Sequence, residues 1–466
     1  MWLLCLAVLF AVSIWQAWKA GPNLAVGTSI FCSLLVPTWL MIDLVGLPLN
    51  IQIAAGIAAL SVYCLHRRAV FRVRLVLVDI AGIALVTVHV VSDWNADGFD
   101  WSVLLRAYGE WMVPYFAGRV AIQSWEDVRR LVPAVIGVCV VFAVCAITES
   151  LTKVNLFESL FGLRPLEGTP RHLSRLGLNR SYASTMNPIY FGTLQVMLVP
   201  WTCYAAVLAY RRSAWRWWLA APLFPLAGII CSGSRAPLLS LVPLTYVSLF
   251  VIRPRWRRVL LGLGVGALAL LIVFHQQALD GLQRWSNKFP DLPPPSIIVG
   301  GKEVAYTGTM HRIYLIQVYS TAMKRAGVLG FGTDRTTGFP PRVPVGPEHA
   351  ATLKRLWCID NYYVLIVLRF GLMGLLCFVV MGLAAAASFV SAGNGEGMRK
   401  SVFGGTMGGA VVAMLFILAT VWMPNDIGFL YMWIMGASAG LFSHRHDRRT
   451  RGHHSRNPER NIEDGA

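Results

Sequence analysis

The sequence predicts an all-α, polytopic membrane protein, and three observations carry that prediction. Of its 466 residues, 56% are hydrophobic and 14% charged, and the mean hydropathy is +0.57. Soluble domains run nearer 45–50% apolar and about 25% charged. Apolar runs recur along most of the chain at the length, roughly 17–25 residues, that a helix needs to cross about 30 Å of hydrocarbon. The basic residues gather in short loops between those runs: His66–Arg74, Arg211–Arg216, Arg253–Arg258, Arg399–Lys400 and Arg445–Arg456. That is the positive-inside pattern, so the net charge of +18 is read as membrane topology and not as nucleic-acid binding.

In chain order the expected spans are 3–19, 24–42, 49–65, 75–92, 105–122, 131–149, 187–210, 214–232, 235–252, 258–275, 361–390, 402–423 and 427–443, about 12–13 in all. The first run, MWLLCLAVLFAVSIW, has no cation before it and Lys19 after it. That polarity is wrong for a signal peptide and suits a retained span. The segment 105–122 carries Arg106, Glu110 and Arg119, which allows an interfacial or re-entrant helix. GGTMGG (404–409) has the small-residue spacing of close helix packing. The nine cysteines show no CxxC spacing, so neither a metal site nor a redox pair is expected. The 17 tryptophans and 14 tyrosines suit interfacial belts or the bundle interior. The chain divides into N-terminal spans (1–275), a polar island (276–360), C-terminal spans (361–443) and a basic tail (444–466), read as disordered and cytoplasmic. With the basic loops inside, the island, the acidic loop 92–100 and the loop 150–186 face outward.

The island holds Pro293–Pro295, a GTMHR segment and an LGFGTD turn. Ile313, Ile316, Gln317 and Ser320 suggest a helix face turned to the bundle. Outward-facing arginines stand where topology does not require them: Arg175 and Arg180 before the span at Asn187–Pro188, Arg235 in CSGSRAPLL, and Arg312 in the island. A guanidinium is a fixed cation whose planar fork matches phosphate oxygens. Several together would hold a pyrophosphate and stabilise it as a leaving group. Singly, each would equally serve a nearby acid or a lipid headgroup.

Asp360 and Asn361 close the island at the mouth of a span. A carboxylate there would take a proton from a sugar hydroxyl, or the pair would cap the helix. His311 and His349 are alternative bases. Asp79, Glu110, Glu149 and Asp426 also lie in or near spans, and the sequence selects none of them.

Taken in order, RSYASTMNPIYFG, GSRAPLL, HRIYLIQVYSTAMKRAGVLGFG and DNYYVLIVLRFGLMG resemble the motifs of the O-antigen ligase and polysaccharide polymerase superfamily of bacterial envelope proteins. The resemblance covers roughly 170–390. It implies a GT-C-like membrane glycosyltransferase with one large extracytoplasmic loop, set in the inner membrane with its active site on the periplasmic side. It implies a polyprenyl-diphosphate-linked glycan donor, a glycan or lipid-linked acceptor, and no cofactor, metal or nucleic acid. By position Arg180, Arg235 and Arg312 would hold the diphosphate and Asp360 would be catalytic with Arg312; Asn361, His311 and Arg175 are further candidates. Ligases of the superfamily carry histidine where this chain has Asp360. That departure favours a polymerase over a ligase acting on lipid A core. A lipid-linked sugar transporter is the reading from a different class, though no internal repeat supports it.

Overall fold

The computed structural model describes residues 2–44, 47–66, 74–98, 100–162, 174–175, 177–210, 213–277, 280–281, 296–299, 302–306, 308–353, 356, 358–394 and 397–454. Pro293–Pro295, most of the His66–Arg74 loop, Arg211–Arg212 and the tail beyond His454 lie outside them.

The chain is an all-α polytopic membrane protein. Among the described residues, seven helices are long and apolar enough to cross a membrane: Leu3–Ala20, Leu77–Asp97, Trp125–Thr152, Pro188–Ala209, Arg235–Ile252, Tyr362–Gly393 and Met398–Leu418. Shorter apolar helices cover Ile51–Leu65, Arg216–Ser232 and Ile427–Ser443. Among the described residues strands occur as three antiparallel hairpins, Met41–Leu44 with Leu47–Asn50, Ser174–Arg175 with Leu178–Asn179, and Ser296–Val299 with Lys302–Ala305.

Several expectations change. The span placed at 24–42 is a helix of 12 residues, Pro22–Ser33, about 18 Å long. Residues 34–36 continue it only as tight turns before Pro37, and a strand begins at Met41. The segment 105–122 is broken into Trp101–Ala107, a π-helical turn Tyr108–Met112 and Val113–Ala121. Its Arg119 is buried against Asp79 at 3.1 Å, and Tyr115 donates to the same carboxylate at 2.5 Å. The last helix runs from Asn425 through His454, past the expected span end at 443.

The core is aromatic. Trp201 and Trp433 are both buried, and Phe31 meets each edge-on at centroid distances of 5.3 and 5.0 Å. Phe403 meets Trp201 at 5.0 Å. GGTMGG works on two faces of the helix Met398–Leu418. A Cβ at Gly404 would lie 2.5 Å from Phe389 O, and one at Gly408 would lie 2.8 Å from Val390 Cγ2, both on Tyr362–Gly393. A Cβ at Gly409 would lie 2.5 Å from Leu244 O, on Arg235–Ile252. Close approach of backbones is how helices associate where the hydrophobic effect no longer drives them together. Gly409→Leu is therefore expected to destabilise the protein by at least about 1–3 kcal/mol, read as a lowered melting temperature in detergent. Gly266→Leu, where a Cβ would meet nothing within 4 Å, serves as the tolerated control.

The island is built into the bundle. Its helix Gly308–Ala326 packs on Tyr362–Gly393. The buried face is Tyr314, Leu315, Val318, Tyr319 and Ala322, whereas Ile316 and Gln317 are exposed. The expected face was rotated because the larger tyrosine and leucine surfaces take the interior.

The Tyr362–Gly393 helix breaks at Gly371, where φ is +65°. The segment Gly327–Gly332 fills the break. Phe331 N donates to Leu368 O at 2.7 Å and Gly332 N to Arg369 O at 3.0 Å. Leu372 N and Met373 N donate back to Gly327 O and Val328 O at 3.0 and 3.2 Å. The four backbone groups freed by the break thus find partners within the protein, as membrane burial demands. Beyond the turn, Thr333 N donates to Asp93 Oδ1 at 2.5 Å, tying the island to Leu77–Asp97.

Candidate functional site

The four candidate arginines come together at one end of the bundle. The loop after Arg180 is shaped by Glu149, which is buried near the end of Trp125–Thr152. Its carboxylate accepts from Ser181 Oγ at 2.6 Å, from Ala183 N at 3.0 Å and from Tyr182 N at 3.3 Å. Asn155 Nδ2 donates to Ala183 O at 3.0 Å. Ala183 is held at φ +47°, a conformation that a side chain adopts only when its surroundings enforce it. Among the described residues Glu149 pairs with no arginine, and it holds the turn that follows Arg180.

Arg180 reaches the C-terminal end of Leu223–Ser232. Its Nε donates to Ser232 O at 3.0 Å and its Nη2 to Ser234 Oγ at 2.8 Å. Arg175 Nη1 donates to Gly233 O at 2.6 Å. A helix C-terminus carries negative partial charge and unpaired carbonyls, which suits cations. Gly233 is required here, since its φ is +57° and a Cβ would sit 2.9 Å from Arg180 Cγ. Arg235 follows at the start of the next helix, in contact electrostatically with Arg175 and Arg312. Burial, then the charges of Arg175 and Arg235, push Arg180 down to about 10. A like-charged group this close destabilises the protonated form, so the cluster holds positive charge against its own repulsion.

Arg312 links the cluster to the island's end. Its Nε donates to Thr420 O at 2.8 Å. Burial pushes its guanidinium below the ordinary arginine value, and the charge of Asp360 opposes that shift. The aspartate and the asparagine divide their duties. Asn361 is the helix cap, its Oδ1 accepting from Tyr363 N at 3.0 Å and Val364 N at 3.2 Å. Asp360 lies just outside the helix, half-buried, with its carboxylate facing Arg312 and His311. Cys358 Sγ donates to its Oδ1 at 3.4 Å.

His311 is committed elsewhere. Its Nε2 lies 3.2 Å from Cys358 O and its Nδ1 lies 2.9 Å from Tyr306 Oη. A carbonyl can only accept, so Nε2 carries the proton and Nδ1 takes the tyrosine's. Burial first, and then Arg312, hold the imidazole below its usual value. A neutral imidazole with both nitrogens engaged is a poor base in this arrangement. His349 is buried in a 3₁₀ turn, Pro347–His349. Among the described residues, no three His, Cys, Asp or Glu side chains gather as a metal site would need.

Sequence reasoning did not single out Arg369. It lies two turns into Tyr362–Gly393, just before the break, and its Nε donates to Thr336 Oγ1 at 3.1 Å. With Arg106 and Glu110 it lines a cavity of about 300 Å³. The available signal was a charge inside an apolar run, which is expensive unless it is paired or used.

Comparison with known families gives one finding. The family model described as O-Antigen ligase matches residues 220–379. That stretch runs from the helix that receives Arg180 through Arg235, Arg312, Asp360 and Arg369. The match supports the expected superfamily over that stretch: residues 220–379 are similar to the O-antigen ligase family. No curated protein matches the chain.

Proposed function

We propose that this chain, whose residues 220–379 match the O-antigen ligase family, is a polysaccharide polymerase that joins polyprenyl-diphosphate-linked glycans. The observation that carries the reading is the convergence of Arg175, Arg180, Arg235 and Arg312, in which Arg180 feels the charges of Arg175 and Arg235, and Arg235 those of Arg175 and Arg312, with Asp360 beside Arg312. A diphosphate bears several negative charges and needs fixed cations where its bond to carbon breaks.

In the step envisaged, a hydroxyl oxygen of the acceptor sugar forms a bond to the donor's anomeric carbon. The carbon–oxygen bond to the diphosphate breaks, and its electron pair leaves with the lipid diphosphate. The hydroxyl proton passes to the Asp360 carboxylate, which lies beside the charge of Arg312. The arginines meet the charge that grows on the leaving group. The bundle would lie in the inner membrane with this end in the periplasm, an orientation that the distribution of basic loops supports.

Asp360→Asn tests the base. Transfer is expected to fall by on the order of 100- to 10,000-fold, with membrane abundance and undecaprenyl diphosphate binding retained. His311→Gln is expected to act much more weakly. Wild-type turnover in Asp360→Asn would exclude Asp360 as the base. The deletion strain separates polymerase from ligase: single lipid-linked repeats accumulate if a polymerase is lost, and lipid-linked polymer accumulates if a ligase is lost.

A further inference from the structure

We infer that the cavity beside the arginine cluster is the acceptor's sugar subsite, with Glu110 and Arg369 as its hydrogen-bonding pair; this rests on the function proposed above. The cavity, of about 300 Å³, is lined by Arg106, Glu110, Trp111, Tyr362, Arg369 and Trp422 among others. Its size falls at the lower end of small-molecule sites, about 300–1,000 Å³. Its chemistry is that of a sugar. A pyranose ring offers apolar C–H faces to aromatic side chains and a rim of hydroxyls to charged ones.

Three features place this pocket next to the transfer chemistry. Tyr362 is two residues past Asp360, across the Asn361 cap. Trp422 is two residues past Thr420, whose carbonyl receives Arg312. Trp422 also meets Tyr190, at the start of the helix that follows the Arg180 loop, with centroids 6.0 Å apart. Two stretches of chain, at Asp360–Tyr362 and Thr420–Trp422, thus run from the cationic cluster to the pocket's lining.

The polar group of the pocket is assembled by irregular backbone. Glu110 and Trp111 sit on the π-helical turn Tyr108–Met112, a widened turn that recurs at functional sites. Arg369 is delivered by the break at Gly371. Glu110 feels the charges of His89, Arg106 and Arg369. A carboxylate and two guanidiniums around one cavity present both acceptors and donors, the combination that a row of hydroxyls needs.

The test uses the full chain in lipid nanodiscs and two probes. One is undecaprenyl diphosphate. The other is the glycan released by mild acid from the lipid extract of a strain deleted for this gene. Wild type is expected to bind both, the glycan with a change in tryptophan fluorescence. Glu110→Gln and Arg369→Lys should each weaken glycan binding about tenfold or more and leave undecaprenyl diphosphate binding within about twofold. Trp422→Phe should remove most of the fluorescence change. Unaltered glycan binding in both charge variants overturns the inference. So does loss of both probes together with thermal stability, which would make the trio a structural ion network. A wild type that binds glycan but not undecaprenyl diphosphate leaves the subsite standing and removes the proposed transfer reaction.

Discussion

Arg312→Ala is expected to reduce glycan transfer by on the order of 100- to 1,000-fold. The guanidinium bridges two parts of the site: its Nε holds Thr420 O at 2.8 Å, and its charge faces Asp360 on one side and Arg235 on the other. Removing it takes a fixed cation from the place where the leaving diphosphate's charge would grow, and takes an opposite charge from beside Asp360. Arg312→Lys keeps the charge and loses the planar fork, so an intermediate defect is expected. Two measurements separate a role in binding from a role in packing. Undecaprenyl diphosphate affinity should fall in Arg312→Ala and recover partly in Arg312→Lys. The melting temperature should change little in either. Polymer of wild-type length and amount in Arg312→Ala would remove this residue from the clamp.

The second large effect is structural. Gly371→Ala is expected to prevent stable accumulation in the membrane. A Cβ there would lie 2.1 Å from Val328 O, on a residue whose φ is +65°. The clash is with backbone, so no side chain can swing away. Moving the Gly327–Gly332 segment aside would strand Leu368 O, Arg369 O, Leu372 N and Met373 N. Each unsatisfied buried group costs about 1–3 kcal/mol, so the total rivals a typical stability of about 5–15 kcal/mol. Gly137→Ala, in the middle of Trp125–Thr152 with nothing within 4 Å of its Cβ, should be tolerated. Normal membrane levels and melting behaviour in Gly371→Ala would mean that the break is not held by this docking.

Much of the fold was legible because a membrane helix is specified locally. Length and apolarity locate Trp125–Thr152, Pro188–Ala209 and Met398–Leu418 without reference to neighbours. The arginines were legible for the same reason, since a charge at a span's end stands out against hydrocarbon. What failed were the irregular pieces. The 12-residue helix Pro22–Ser33 reads as a full apolar span, and the charges of 105–122 signal an irregular segment without locating the π-turn at Tyr108–Met112. Their shape depends on partners far along the chain. The helix face of Gly308–Ala326 was misassigned because aromatic and aliphatic positions compete for one interior, and only packing decides between them.

The sequence by itself determined an all-α membrane bundle, a polar island between spans and a set of arginines too many for topology alone. Each of those is a property of composition and spacing. Only the tertiary structure decided that Arg175, Arg180, Arg235 and Arg312 share one end of the bundle, that Asn361 caps while Asp360 stays available, and that His311 is occupied. It also decided that Arg369 faces a cavity with Glu110. The reason is the same in each case. A charge's role depends on what lies within a few ångströms of it, and residues 180, 235, 312 and 360 become neighbours only once the helices between them have packed.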